Sequence, residues 1–203
     1  MKGSIIIIAF FALGIAVGLQ FSTCNLQFSI FNLHFSTFIL YALMFCVGIS
    51  IGSDTKTLKS FKDVNPRLMM LPVMTVVSTL AGTAAASALL PHRHLFDCLA
   101  IGSGFGYYSL SSIFITEYKG AELGTIALLA NIMREIITLL CAPLLVRYFG
   151  KLAPISMGGA TTMDTTLPII TRTSGQDYVI VSIFHGFCVD FSVPFLVTFF
   201  CSI

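Results

Sequence analysis

The chain has 203 residues, 56% of them hydrophobic and 10% charged, with a formal net charge of +2 and a mean hydropathy of +0.94. Soluble domains carry about 25% charged residues, and no polar stretch here exceeds a loop, so neither a soluble domain nor a nucleic-acid surface fits. Long apolar segments, including the uncharged run over residues 68–90, exclude the short alternating strands of a β-barrel. They predict an all-α, polytopic membrane protein lodged in a lipid bilayer, with six to seven transmembrane segments, one of them broken or re-entrant.

Residues 1–21 hold the first helix. Lys2 and a short apolar run follow the outline of a signal peptide, but no Ala-x-Ala site follows. Gly14 and Gly18 have the small-xxx-small spacing of packed membrane helices instead. Residues 22–36 are a heptapeptide-repeat linker: residues 19–25 are echoed by 26–32 and again from 33. Uncharged and rich in Phe and Ser, it suits an interfacial linker better than a coiled coil. Residues 37–90 hold the second and third helices. The loop between them carries Lys56, Lys59, Lys62 and Arg67 against Asp54 and Asp63, whereas residues 22–36 contain no Lys or Arg. The positive-inside rule therefore puts the Lys-rich loop in the cytoplasm and the linker outside.

Residues 91–203 form the expected transport core, and the whole chain reads as one membrane domain. A fourth helix is predicted over about 97–118, a fifth over 122–149, a broken segment over 154–172 and a final helix over 178–202. If every segment crosses, the C-terminus lies outside; a re-entrant 154–172 reverses that end.

The broken segment carries the sharpest signal. Asp164 stands in apolar surroundings, flanked by Thr161, Thr162, Thr165 and Thr166, with Gly158 and Gly159 before it and Pro168 after it. A carboxylate at membrane depth costs about 3 kcal/mol even on lenient scales. Glycines, a proline and short hydroxyls are how a membrane helix is interrupted while its freed backbone groups stay satisfied. Gly102, Gly104 and Gly106 mark a second place where a helix loosens, with Tyr107, Tyr108 and Ser109 beside it. This spacing superficially matches a dinucleotide loop, but no βαβ unit precedes it. It serves either close helix packing or the lining of a substrate cavity.

Asn131, Arg134 and Glu135 are spaced to share one face of the fifth helix. They serve as a structural ion pair, or as charge compensation and substrate contact. His185 is read as buried, with a proton-relay role as the alternative to a packing one. Asp190, five residues on, is a further intramembrane acid on another face. Glu117 falls near the cytoplasmic end of the fourth helix, where an exposed interfacial acid is the simpler reading. The six cysteines are scattered without metal-ligand spacing, so neither a metal nor a cofactor is expected.

Taken together, Gly102 to Ser111, Thr116-Glu117, Asn131 with Arg134-Glu135, Gly159 to Pro168 with Met163-Asp164, Arg172 and His185-Gly186 resemble the lysine exporter LysO family of bacterial inner-membrane proteins. The resemblance is close from about residue 97 onward and looser around Val47-Gly48-Ile49. It implies an efflux carrier for L-lysine and thialysine-like analogues, with intramembrane acids as candidates for coupling to protons or another cation. Longer members of the family carry a further block of membrane helices, part of which looks like a repeat of the first three segments here. A repeat of three helices is inverted in the membrane. The chain thus looks like the C-terminal two-thirds of a split transporter, whose remaining helices a separately encoded small membrane subunit would supply.

Under that reading Asp164 attracts the substrate ammonium, and protonation releases it. The substrate carboxylate sits on N–H groups exposed at a broken helix, on Thr161, Thr162 or Ser109, or on Arg134. Three readings compete with it: a cation-coupled carrier of another small solute, a non-transporting membrane subunit, and an intramembrane hydrolase using Ser103 and His185. The hydrolase has no support beyond the coexistence of the two residues.

Overall fold

A computed structural model of the chain describes residues 68–90 and 93–203, with Phe38, Phe45 and Ile49 as isolated helical positions. The first helix, the heptapeptide linker and the Lys-rich loop lie outside the described residues, as does most of the second helix. The chain divides into two compact units, Met1–Ser53 and Asp54–Ile203.

Among its described residues the second unit is helical, without a strand. The elements are α1 (Leu71–Ser87, entered by a 3-10 turn at Leu68–Met70), α2 (Leu95–Gly102), α3 (Tyr108–Lys119), α4 (Ala121–Phe149) and α5 (Ala153–Gly158). A 3-10 turn at Gly159–Met163 leads to α6 (Leu167–Ser174), and another at Gln176–Tyr178 leads to α7 (Val179–Ser202). The expectation of a helical membrane protein holds. Three of these helices, α1, α4 and α7 with their entry turns, are long and apolar enough to cross a membrane. At 1.5 Å per residue, about 20 residues suffice for the hydrocarbon core.

The distribution of side chains fits lipid outside and polar groups inside. Val73, Met74 and Val77 of α1, Leu129, Met133 and Leu140 of α4, and Phe191, Phe195 and Phe199 of α7 are exposed. Thr75, Ser103, Ser111, Asn131, Thr138, Thr162, Ser182 and His185 are buried. In a bilayer the outward apolar faces need no protein cover, whereas buried polar groups must find partners.

The short helices do not cross. The fourth segment, expected as one helix over 97–118, breaks at 103–107 and turns back. Two ion pairs fix both of its ends at one end of the bundle. Arg93, just before α2, pairs with Glu122 at the start of α4, and Asp97 of α2 pairs with Lys119 of α3 at 3.6 Å. A cavity of about 230 Å³ bordered by Leu90, Arg93, Cys98 and Leu123 lies at the same end. Glu122, by hydrogen bond and charge, holds the Arg93 guanidinium above its usual pKa.

The segment 154–172 also returns to where it started. The Ser174 hydroxyl at the close of α6 donates to the Lys151 carbonyl ahead of α5 at 2.8 Å, and the Lys151 ammonium lies 5.6 Å from the Tyr178 ring centre. Leu68, Leu71, Leu152 and Tyr178 pack there around the buried Ile155, Ile170, Val181 and Phe184. Among the described residues the bundle thus comprises three long helices and two helical hairpins entering from opposite ends. The chain leaves α7 at the end opposite to Leu68.

Candidate functional site at the meeting of two hairpin tips

The tip of the first hairpin is a run of tight turns. The N–H of Gly104 donates to Ile101, that of Phe105 to Gly102, that of Tyr107 to Gly104 and that of Tyr108 to Gly106. Phe105 holds a φ of +45° and is fully buried. A left-handed phenylalanine is strained by about 1–3 kcal/mol and persists only where its surroundings fix it. What fixes it is the second tip: the Ala160 N–H donates to the Phe105 carbonyl at 3.0 Å.

Gly159 makes this approach possible. Its φ is +63°, and a Cβ there would lie 2.1 Å from the Phe105 oxygen. On the other side, a Cβ at Gly106 would lie 3.1 Å from the Gly158 carbonyl. The two glycine groups singled out as helix breaks are therefore two halves of one contact.

Two side chains of α4 hold the tips. Asn131 is buried; its Oδ1 accepts from the Gly106 N–H at 2.8 Å, and its Nδ2 donates to Ile101 at 3.2 Å and to Ala127 at 2.9 Å. Arg134, near the middle of this 29-residue helix, donates from Nε to the Met157 carbonyl at 2.8 Å. Its guanidinium also reaches Ser156 O at 3.2 Å and Thr79 Oγ1 at 3.4 Å. Those carbonyls belong to the last turn of α5, where a helix leaves C=O groups unpaired and favours a cation. Arg134 also lies 5.8 Å from the Phe105 ring centre. Glu135 is half-buried and makes no ion pair among the described residues.

The second tip is tied to α1 and α7 by hydroxyls. Ser156 Oγ lies 2.8 Å from Thr75 Oγ1, which lies 2.9 Å from His185 Nε2. His185 Nδ1 is 3.3 Å from Thr162 Oγ1. Thr162 has one proton to give, and carbonyls of Gly159 and Ser182 stand at 2.8 and 2.9 Å. Toward His185 it can then only accept, so the network assigns the ring proton to Nδ1. Nε2 accepts from Thr75, which accepts from Ser156. Ser182 Oγ donates back to Thr162 O at 2.9 Å. His185 is thus a fully buried bridge.

Asp164 closes the 3-10 turn and is exposed. Its Oδ1 accepts from the Thr165 N–H at 2.6 Å and faces the Thr165 hydroxyl at 3.4 Å; Oδ2 makes no hydrogen bond among the described residues. Thr161 Oγ1 donates to Gly158 O at 2.9 Å and meets Thr166 Oγ1 at 3.2 Å. Thr161 and Thr162 therefore shape the turn, while Thr165 touches the acid. Asp164 is within electrostatic reach of Asp190, and both are within reach of Tyr107. Tyr108 is half-buried and Ser109 exposed in the first turn of α3; neither α3 nor α6 has a side-chain cap at its N-terminus. Pro168 sits in the first turn of α6, and Gly102 ends α2 against Thr83. Glu117, expected at the opposite end of a crossing helix, is exposed near the end of α3 that returns to the start of α2, because the segment turns back at 103–107. Phe105, Thr75, Ser156 and Ser182 were not singled out from sequence; only their positions opposite glycines or His185 reveal them.

The arrangement offers carboxylates and uncapped helix N-termini at the level where two hairpins meet, with the C-terminal carbonyls of α2 and α5 already taken by Asn131 and Arg134. Such a site suits a small zwitterion or cation. The sequence profile of the lysine exporter LysO family matches residues 8–201.

The chain belongs to the lysine exporter LysO family.

It is 40% identical to the lysine exporter LysO of Escherichia coli K12 over 161 residues, 79% of this chain and 53% of that protein. It is 35% identical to a candidate lysine exporter of Haemophilus influenzae over 163 residues, 80% of this chain and 82% of that protein. The match thus spans about half the length of the E. coli family member. No solved structure matches the chain.

Proposed function

We propose that the protein exports L-lysine across the bacterial inner membrane in exchange for protons, with Asp164 as the ammonium site. The observation that carries this reading is the position of Asp164 at the close of the turn whose Ala160 N–H meets the Phe105 carbonyl of the other hairpin tip, in a member of a family named for lysine export. The end of the bundle that bears Arg147, Lys151 and Arg172 also receives the chain after Lys56, Lys59, Lys62 and Arg67. The positive-inside rule makes that end cytoplasmic, so the hairpin with Asp164 enters from the side where lysine is gathered. Ionised Asp164 draws the ammonium, the uncapped first turn of α3 with Ser109 receives the carboxylate, and uptake of a proton at the site from outside favours release. The role is transport rather than catalysis.

The partner is part of the proposal. Because the match spans 53% of the E. coli protein, a separately encoded small membrane subunit is proposed to supply further helices. Resistance to thialysine tests this in exporter-deficient cells carrying the chain alone, with a co-encoded membrane subunit, or with Asp164→Asn in either setting. Resistance that needs both chains and Asp164 supports the reading; wild-type sensitivity in every arrangement, despite stable membrane insertion, overturns it in favour of another solute.

A further inference from the structure

A second acid stands at this site without a structural task. Asp190 of α7 is 6% exposed, yet it makes no hydrogen bond or ion pair among the described residues. No side-chain polar atom sealed from solvent lacks a partner there, so the Asp190 oxygens border open space. Its position on α7 says where. Ser182, Gly186 and Asp190 follow one another at four-residue spacing and share a helix face. Ser182 is hydrogen-bonded to Thr162 in both directions, and a Cβ on Gly186 would lie 2.7 Å from the Met163 nitrogen. That stripe therefore lies against the second hairpin's turn, and Asp190 extends it by one helical turn beyond Met163. Asp164 from the second hairpin and Tyr107 from the first are the titratable groups in its reach. Among the described residues, Arg134 is engaged on the α5 carbonyls, Lys119 on Asp97, and Arg93 on Glu122.

We propose that Asp190 is the proton-carrying member of a two-carboxylate site, with Asp164 binding the substrate ammonium. This rests on the export reading above and assigns the coupling within it. A buried carboxylate with no cation beside it is held either by a proton or by a cationic ligand. In the outward step lysine carries its charge away and a proton from outside takes its place on Asp190. In the return step that proton leaves to the cytoplasm and the next ammonium enters. The site thus never holds two uncompensated charges, and one proton enters for each lysine released.

Everted membrane vesicles from cells expressing the full chain with its co-encoded subunit test this. Respiration acidifies their interior, and labelled lysine accumulates if protons are exchanged. Asp190→Asn is expected to lose at least ten-fold in accumulation yet retain exchange of labelled for unlabelled lysine. Asp190→Glu should restore accumulation, which a purely structural role for the carboxylate would not require. Asp164→Asn should lose exchange as well. Dicyclohexylcarbodiimide, which modifies protonated carboxyls in apolar settings, is expected to label Asp190, and excess lysine should protect it. Accumulation by Asp190→Asn within two-fold of wild type overturns the assignment while leaving lysine export standing. Wild-type vesicles that move no lysine, with Asp190 still labelled in a proton-dependent way, retain the proton site and overturn the substrate. If Asp190 is neither labelled nor needed, the proposal fails outright.

Discussion

Asn131 and Arg134 stand three residues apart on α4 and hold the tips of opposite hairpins. Asn131 takes the Gly106 N–H of the first; Arg134 takes the Ser156 and Met157 carbonyls of the second. One turn of one helix thus sets the distance between two re-entrant elements that enter from opposite ends. This is why the two residues share a face, and why neither needs the other as a partner.

Asn131→Leu should remove three hydrogen bonds and leave the buried Gly106 N–H unpaired, at about 1–3 kcal/mol. Arg134→Lys should be milder than Arg134→Met but still damaging, because an ammonium cannot span two carbonyls as a planar fork does. Thermal unfolding in detergent is expected to order them as wild type, Arg134→Lys, then Arg134→Met, with Asn131→Leu as low as the last. Lysine efflux should follow the same order.

Glycines separate cleanly by position. Gly159→Ala sets a Cβ against the Phe105 carbonyl at a positive φ, so the tips must part and transport should fall by more than ten-fold. Gly82→Ala on α1 meets nothing within 4 Å and gains helix propensity of about 1 kcal/mol. It should transport like wild type and melt no lower. Efflux of both variants at matched expression checks the contrast.

Re-entry makes a prediction about sidedness. In a cysteine-free background, single cysteines at His94 and Gly120 should react with a membrane-impermeant maleimide from one side, and those at Lys151 and Gly175 from the other. Two spanning segments would place His94 opposite Gly120, and Lys151 opposite Gly175.

Much of this was legible in the chain. Asp164 amid glycines, threonines and Pro168 marked one break, and the glycines at 102, 104 and 106 marked another. The spacing of Asn131 and Arg134 on one helix face was legible too, and the cost of polar groups in lipid accounts for their facing the bundle. The return of the fourth segment was not legible, because hydropathy over 97–118 is the same for a crossing helix and a hairpin. Direction is set by long-range pairs such as Arg93 with Glu122 and Asp97 with Lys119, and spacing along the chain does not reveal them. For the same reason Arg134 read as a possible ion-pair member, whereas it caps a helix that lies more than twenty residues away. Asp190 was noticed as an acid on a different face from His185; its companionship with Asp164 depends on how α7 packs on the second tip.

The central claim is that Asp164 carries lysine's charge across the bundle. The most direct measurement is efflux of radiolabelled lysine from loaded, exporter-deficient cells expressing wild type, Asp164→Asn or Asp164→Glu, each with the proposed partner subunit. The account predicts efflux abolished in Asp164→Asn and at least partly restored in Asp164→Glu, at equal membrane abundance. Undiminished efflux by Asp164→Asn would contradict it.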